Sequence, residues 1–329
     1  MPLASKDELD AAVANAKEAQ PAWAAVNPQR RARVLMKFVE LLYRDMDKLA
    51  EALSREHGKT LPDAKGDVIR GLEVAEFCFG APHMLKGEYT GNAGPGIDIY
   101  SVRQPLGVVA GITPFNFPAM IPMWKFCPAI AAGNAFILKP SERDPSVPLM
   151  LAELMMEAGL PAGVLNVVNG DKDSVDAILD HPDIMAVGFV GSTPIAEYVY
   201  TRGCANGKRV QCFGGAKNHM IIMPDADMDQ AVDALMGAGY GAAGERCMAI
   251  SVAVPVGEKT ADALMERLVP RVESLKIGPY TAGDDVDMGP LVTAAARDRV
   301  KGLVDGGVAQ GAELAVDGRG FTMQGYENG

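Results

Sequence analysis

A chain of 329 residues with 48% hydrophobic and 22% charged residues has room for two globular domains. Its net charge of −11 argues against nucleic acid or an anionic membrane as partner. No apolar run reaches the roughly 18 residues of a membrane span; the longest, 119–132, is broken by Pro122, Lys125 and Pro128.

The elements follow in chain order. Residues 7–54 are predicted to be helical, with Ala12, Val13, Ala16 and Ala19, then Val34, Leu35, Phe38, Leu41 and Leu42, at helical spacing. A further helix over 64–79 follows the break at Gly58 and Pro62. Tyr89 and Thr90, a glycine-rich turn over 91–96 and the run 97–102 predict a β-hairpin within 87–105 that projects and pairs with another subunit. From 106 onward strands and helices alternate: strand 107–112, helix 120–132, strand 135–138, helix 148–158, strand 164–168, helix 174–179, strand 185–190. Such alternation implies a parallel sheet covered on both faces, with ligands at the carboxyl ends of its strands. After Gly214 the pattern restarts: strand 219–223, helix 228–238, strand 250–256 and helix 260–275, with no closing element predicted beyond. The expected domains are 1–86 with 106–213, the hairpin 87–105, and 214–329.

Chemistry is sought where strands end. These places carry Thr113-Pro114-Phe115-Asn116-Phe117-Pro118, Lys139-Pro140-Ser141-Glu142, Gly191-Ser192-Thr193, Gln211-Cys212-Phe213-Gly214-Gly215 and Gly244-Glu245-Arg246-Cys247-Met248-Ala249. Taken singly, each has an ordinary structural explanation. Asn116 reads as a turn residue, Lys-Pro-Ser-Glu as a helix start with its capping group, and Gly-Ser-Thr as one of many helix starts. Five cysteines (Cys78, Cys127, Cys204, Cys212, Cys247) without a Cys-x-x-Cys pair predict a reduced protein with no metal site. The N-terminus shows no basic-then-apolar signal pattern, so the expected location is the cytoplasm, or the mitochondrial matrix in a eukaryote.

Together, in this order, the five motifs resemble the NAD(P)-dependent aldehyde dehydrogenase superfamily, from about residue 8 to the C-terminus. Phe115-Asn116-Phe117-Pro118, Gly215-Ala216-Lys217-Asn218-His219 and Arg246-Cys247-Met248-Ala249 resemble its CoA-acylating methylmalonate-semialdehyde dehydrogenase branch. The resemblance implies an α/β fold with a Rossmann-type NAD-binding domain, an α/β catalytic domain and an oligomerisation hairpin giving dimers or tetramers. It implies Cys247 as nucleophile and Asn116 as donor to the oxyanion. Thr113, Phe115, Lys139, Glu142, Arg143, Gly170, Gly191 and Ser192 would hold NAD, with Glu142 on the ribose favouring NAD over NADP. Arg70 and Arg246 would hold a substrate carboxylate. The partners would be a semialdehyde and coenzyme A, in valine, pyrimidine or inositol breakdown.

Two departures from the family pattern matter. Hydrolytic members carry a Glu two residues before the Gly-Gly pair, where this chain has Cys212. A thiol is a poor substitute for the base that activates water, whereas a CoA thiolate is itself a nucleophile. In the loop after strand 164–168, only the first family glycine, Gly170, is present. Family chains also extend further, so the resemblance implies a chain lacking C-terminal and N-terminal segments. A hydrolytic aldehyde dehydrogenase and an inactive NAD-binding fragment are the alternatives.

Overall fold

The computed structural model describes residues 1–283, 285–327 and 329. They form two compact units, Met1–Leu53 with Lys65–Gly214, and Ser54–Ala64 with Gly215–Gly329. Residues 54–64, which the sequence places in the first domain, therefore group with the second unit.

The chain opens with helices α1 (Lys6–Ala25), α2 (Pro28–Arg44), α3 (Met46–His57), α4 (Leu61–Phe77) and the single turn α5 (Ala81–Met84). Ser5 and Glu8 form a capping box at the start of α1, satisfying otherwise unpaired N–H groups. Asn27 caps α2, where Pro28 costs no hydrogen bond because the first N–H groups have no helical acceptor. The hairpin forms as expected, with β1 (Tyr89–Gly94) antiparallel to β2 (Ile97–Tyr100). Gly96 in its turn is left-handed, and so is Asn92 within β1, where the pairing register shifts; both residue types tolerate positive φ. The Tyr89 hydroxyl donates to Asp98 at 2.6 Å.

The rest of the first unit is β3 (Val108–Ile112), α6 (Met120–Ala131), β4 (Ala135–Lys139), α7 (Ser146–Glu157), β5 (Leu165–Val167), α8 (Lys172–Asp180), β6 (Ile184–Val190), α9 (Thr193–Ala205) and β7 (Arg209–Phe213). The strands make one parallel sheet in the order β5-β4-β3-β6-β7. Every residue of β3 and β4 is buried, as expected for strands covered on both faces. One face packs Val108, Ala110, Ile112, Ile137, Val187 and Phe189 against Leu9, Val13 and Ala16 of α1, with Ile178, Leu179 and Val199 of α8 and α9. Opposite, Phe126 of α6 meets Phe136 edge-on at 6.5 Å and Phe38 at 6.1 Å.

The second unit pairs β8 (Asn218–Ile222) in parallel with β9 (Ile250–Pro255) and adds α10 (Met228–Leu235), α11 (Glu258–Glu273) and α12 (Ala294–Ala309). Ile222, Val232, Leu235 and Leu264 form its core.

Three local expectations are corrected. Ser141 does not begin a helix: its Oγ accepts the Arg143 N–H at 3.1 Å in a short turn, and α7 begins only at Ser146. Pro145 biases Asp144 away from helical geometry, which keeps the helix from reaching back. Helix α10 ends at Leu235 rather than 238, because the chain widens into a π-turn over Met236–Tyr240, where Gly237 and Gly239 weaken the α-helix. The closing helix α12, capped by the Thr293 hydroxyl on the Ala296 N–H, has no counterpart in the sequence reading.

Candidate functional site

In the first unit the strand order reverses between β3 and β6, which run side by side in parallel. A crevice opens at the carboxyl ends of strands at such a point. Across this edge stand Gly170 after β5, Lys139 and Glu142 at the end of β4, Thr113 and Phe115 after β3, and Gly191 and Ser192 after β6. The topology thus lines up seven of the eight expected cofactor residues, separated by up to 79 positions (113 to 192), with Arg143 next to Glu142.

Their contacts are specific. The Thr113 N–H donates to Lys139 O at 3.0 Å, locking the exit of β3 to β4. The Thr113 hydroxyl is buried with no hydrogen-bond partner among the described residues, so a ligand group there would satisfy it. Lys139 is buried, and its ammonium lies 3.4 Å from Glu142. Burial pushes the Lys139 pKa down, opposed by Glu142 and Asp171. The Arg143 guanidinium sits 5.1 Å from the centre of the Phe115 ring. Gly170 is required by packing, since a Cβ there would lie 1.9 Å from Ser174 Oγ.

One detail at the start of α9 differs from the expectation. Gly191 does not offer its N–H to a phosphate, because it donates to Phe213 O at 3.0 Å. The exposed Ser192, whose side chain makes no capping bond, remains as the polar group at this positive helix end.

The loop carrying Asn116 is held at both ends. Thr113 is tied to β4, while buried Phe117 packs with Met120, Ile121 and Val190. Buried Asp67 of α4 accepts the Met120 N–H at 2.7 Å, capping α6 where its own N-cap residue, Ala119, cannot. Asn116 itself is half-buried. Arg70 is exposed on α4; its carbonyl accepts the Trp124 indole N–H at 3.0 Å.

Cys212 lies in β7, half-buried, packing with Val210 against the core below the sheet. Burial pushes its thiol pKa up, with Lys125 opposing. It is therefore a small apolar side chain and not a base at neutral pH.

In the second unit the turn that carries Cys247 follows the π-turn. Ala242, Ala243 and Gly244 all adopt positive φ (50°, 55° and 74°), a strained run for two alanines. Asp63 holds it: Oδ2 accepts the Ala242 N–H at 3.2 Å, and Oδ1 accepts Arg246 Nη2 at 2.6 Å. Arg246 Nη1 donates to Gly237 O at 3.0 Å. A Cβ on Gly241 would lie 2.5 Å from Arg246 Nη2, so a side chain there would displace the guanidinium. Arg246 thus supports the turn locally through both terminal nitrogens, keeping only part of its fork for any substrate. Cys247 follows, exposed, and Asn218 Nδ2 donates to its carbonyl at 2.9 Å and to Ala249 O at 3.0 Å.

Asn116 and Arg70 belong to the first unit, Cys247 and Arg246 to the second. Asp63 and Asn218 were not singled out from sequence. Asn218 had a signal, lying in the Gly-Gly-Ala-Lys-Asn run; Asp63 had none. Two cavities, about 360 Å³ beside Trp124 and Lys125 and about 670 Å³ beside Pro290 and Phe321, are lined by none of the expected site residues.

Comparison with known proteins agrees with this architecture. The family model described as the aldehyde dehydrogenase family matches residues 1–329. The chain belongs to the aldehyde dehydrogenase family. It is 59% identical over its whole length to a malonate-semialdehyde dehydrogenase of Pseudomonas aeruginosa, covering 66% of that protein. It is 50% identical to the mitochondrial acylating methylmalonate-semialdehyde dehydrogenase of Arabidopsis thaliana, covering 54% of it. Among solved structures, the NAD complex of a protein from Sinorhizobium meliloti 1021 assigned as a methylmalonate-semialdehyde dehydrogenase superposes with a TM-score of 0.96 at 72% identity. That match covers 99% of this chain and 66% of the other. This aldehyde dehydrogenase chain therefore spans about two thirds or less of the length of these relatives. Its parallel sheet is the Rossmann-like sheet of the aldehyde dehydrogenase fold.

Proposed function

We propose that this chain carries the nucleophile and the cofactor-binding edge of an NAD-dependent, CoA-acylating dehydrogenase acting on methylmalonate or malonate semialdehyde. The observation that carries the acylating reading is Cys212. In hydrolytic members its position holds the carboxylate that activates water. Here it holds a half-buried thiol facing the core.

The Cys247 thiolate adds to the aldehyde carbon, forming a C–S bond and an oxyanion. The Asn116 amide and the Cys247 backbone N–H are the expected donors to that oxygen. Bound at the sheet edge, NAD would accept the hydride released as the oxyanion collapses. Lys139 and Glu142 suit the ribose hydroxyls of such a ligand, as donor and acceptor, and the Thr113 hydroxyl and the α9 terminus suit its phosphates. Collapse leaves a thioester on Cys247. A CoA thiolate attacks the thioester carbonyl and the Cys247 thiolate leaves, so no water-activating base is needed. The substrate's one carboxylate departs as carbon dioxide (bicarbonate once hydrated) and a proton replaces it on the α-carbon, so that the product is propionyl-CoA or acetyl-CoA. Arg70 and the remaining N–H groups of Arg246 are the expected partners of that carboxylate.

The exposed apolar side chains of the hairpin, with Tyr100 74% exposed beside Ile97, Ile99 and Val102, support its role in joining subunits.

The test is NADH formation from malonate semialdehyde with and without CoA, with intact-mass detection of an acyl adduct on Cys247. A burst of about one NADH per chain without CoA, followed by turnover on CoA addition, is expected. Sustained turnover without CoA would make the enzyme hydrolytic. Absence of both burst and adduct would overturn the catalytic reading of this chain.

A further inference from the structure

The turn that carries Cys247 is gripped by a side chain to which no catalytic role has been given. Asn218 opens β8 and pairs with Ile250, the first residue of β9. Its single Nδ2 donates to two carbonyls, Cys247 O at 2.9 Å and Ala249 O at 3.0 Å. Both amide hydrogens are thereby used, which fixes the amide orientation: a flipped amide would set Oδ1 against two carbonyl oxygens. On the other side of the cysteine, Arg246 is anchored to Asp63 and Gly237. Between these anchors lies one residue, Cys247, on a turn whose Ala242 and Ala243 sit at positive φ and would relax if released.

We propose that Asn218 is a positioning residue for Cys247. By holding the carbonyls on both sides of Met248 it fixes the direction of the Cys247 side chain and backbone N–H. It also covers two carbonyl oxygens whose negative ends would otherwise disfavour the attacking thiolate. The role of Asn218 in catalysis rests on the dehydrogenase reading above, but its effect on thiol reactivity does not.

Two variants separate positioning from packing. Asn218→Ser keeps one donor in a smaller volume; Asn218→Asp keeps the volume and replaces the donating nitrogen with a carboxylate oxygen. In each chain, iodoacetamide modification of Cys247 is followed by peptide mass spectrometry, with exposed Cys204 as reference in the same molecules. The burst with malonate semialdehyde and NAD is measured in parallel. The Cys247-to-Cys204 rate ratio should fall about threefold in Asn218→Ser and about tenfold or more in Asn218→Asp. The burst rate should fall in the same order, with the half-saturating aldehyde concentration within about twofold of wild type. Packing alone predicts the opposite order, because the serine leaves a void and the aspartate does not. A ratio unchanged in both variants, or an aspartate variant no slower than the serine variant, would overturn the proposal. The alkylation order without any wild-type burst would uphold the placement of Cys247 by Asn218 and remove the dehydrogenase reading instead.

Discussion

Asp63 and Arg246 meet at 2.6 Å in the second unit, 183 residues apart in sequence, and the same carboxylate accepts the Ala242 N–H. One side chain thus secures both the strained start of the turn that carries Cys247 and the residue before it. Both partners are about three-quarters buried (24% and 22% exposed), so the pair is shielded from the screening that weakens surface bridges. Asp63→Ala should open the turn, costing about 1–3 kcal/mol locally. Hydrogen exchange over 236–250 should accelerate by a factor of roughly 5 to 100. Asp63→Asn, which retains an acceptor for Ala242, should lie between the two. Unchanged exchange in Asp63→Ala would mean that the turn holds itself.

His57 provides a pH handle. Burial and the nearby Lys59 charge push its pKa down to about 3, so the folded state disfavours its protonation. The unfolded chain binds this proton near pH 6.5 and the folded chain does not, so stability is complete above about 6.5 and declines as pH falls toward 3. Between pH 7 and pH 5 the loss from this group should be about 2 kcal/mol. Urea unfolding followed by circular dichroism at both pH values checks this. His57→Leu should remove that part of the slope.

Cys212→Glu should introduce the water-activating carboxylate that the chain lacks. NADH turnover without CoA is expected to appear or to rise by about tenfold or more. A carboxylate beside Val210 and the sheet core should also lower stability by about 1–3 kcal/mol, read from the thermal midpoint. If turnover stays strictly CoA-dependent, the absence of a base at this position does not decide between water and CoA.

Glu142 offers a measure of cofactor choice. Glu142→Gln removes the negative charge beside the expected ribose while leaving Lys139 in place. NAD affinity should fall about five- to tenfold, and NADP affinity should fall less or rise, narrowing the preference. Calorimetric titration with each nucleotide reads both values. Equal losses for the two would place the ribose elsewhere.

The main architecture was legible because its signals are local and repetitive. Strand β3 is an uninterrupted apolar run and β4 is one up to Lys139, and their alternation with helices names a parallel sheet. Strand β7 was harder: exposed Arg209, Gln211 and Phe213 alternate with half-buried Val210 and Cys212, so it carries the weaker signal of an edge. Helix α12 was not read because Gly302, Gly306 and Gly307 depress its propensity and no apolar face of it is buried. The expected cofactor residues were named from motifs at strand ends. Asp63 was invisible because its meaning lies in contacts across 183 positions, and Gly191 was read too simply because its N–H is claimed by a strand further along the chain.

The central strand pair has a consequence for how the protein acquires its site. Ala110 of β3 pairs with Val187 of β6, residues 77 positions apart, and α6, β4, α7, β5 and α8 all intervene. Closing so long a stretch before any reward is collected makes this pairing slow compared with helix formation. The crevice flanked by Thr113 and Gly191 does not exist until that closure is made. A nucleotide present from the first moment of refolding would therefore wait for the chain, and the time at which it binds would mark when the two halves of the sheet have joined.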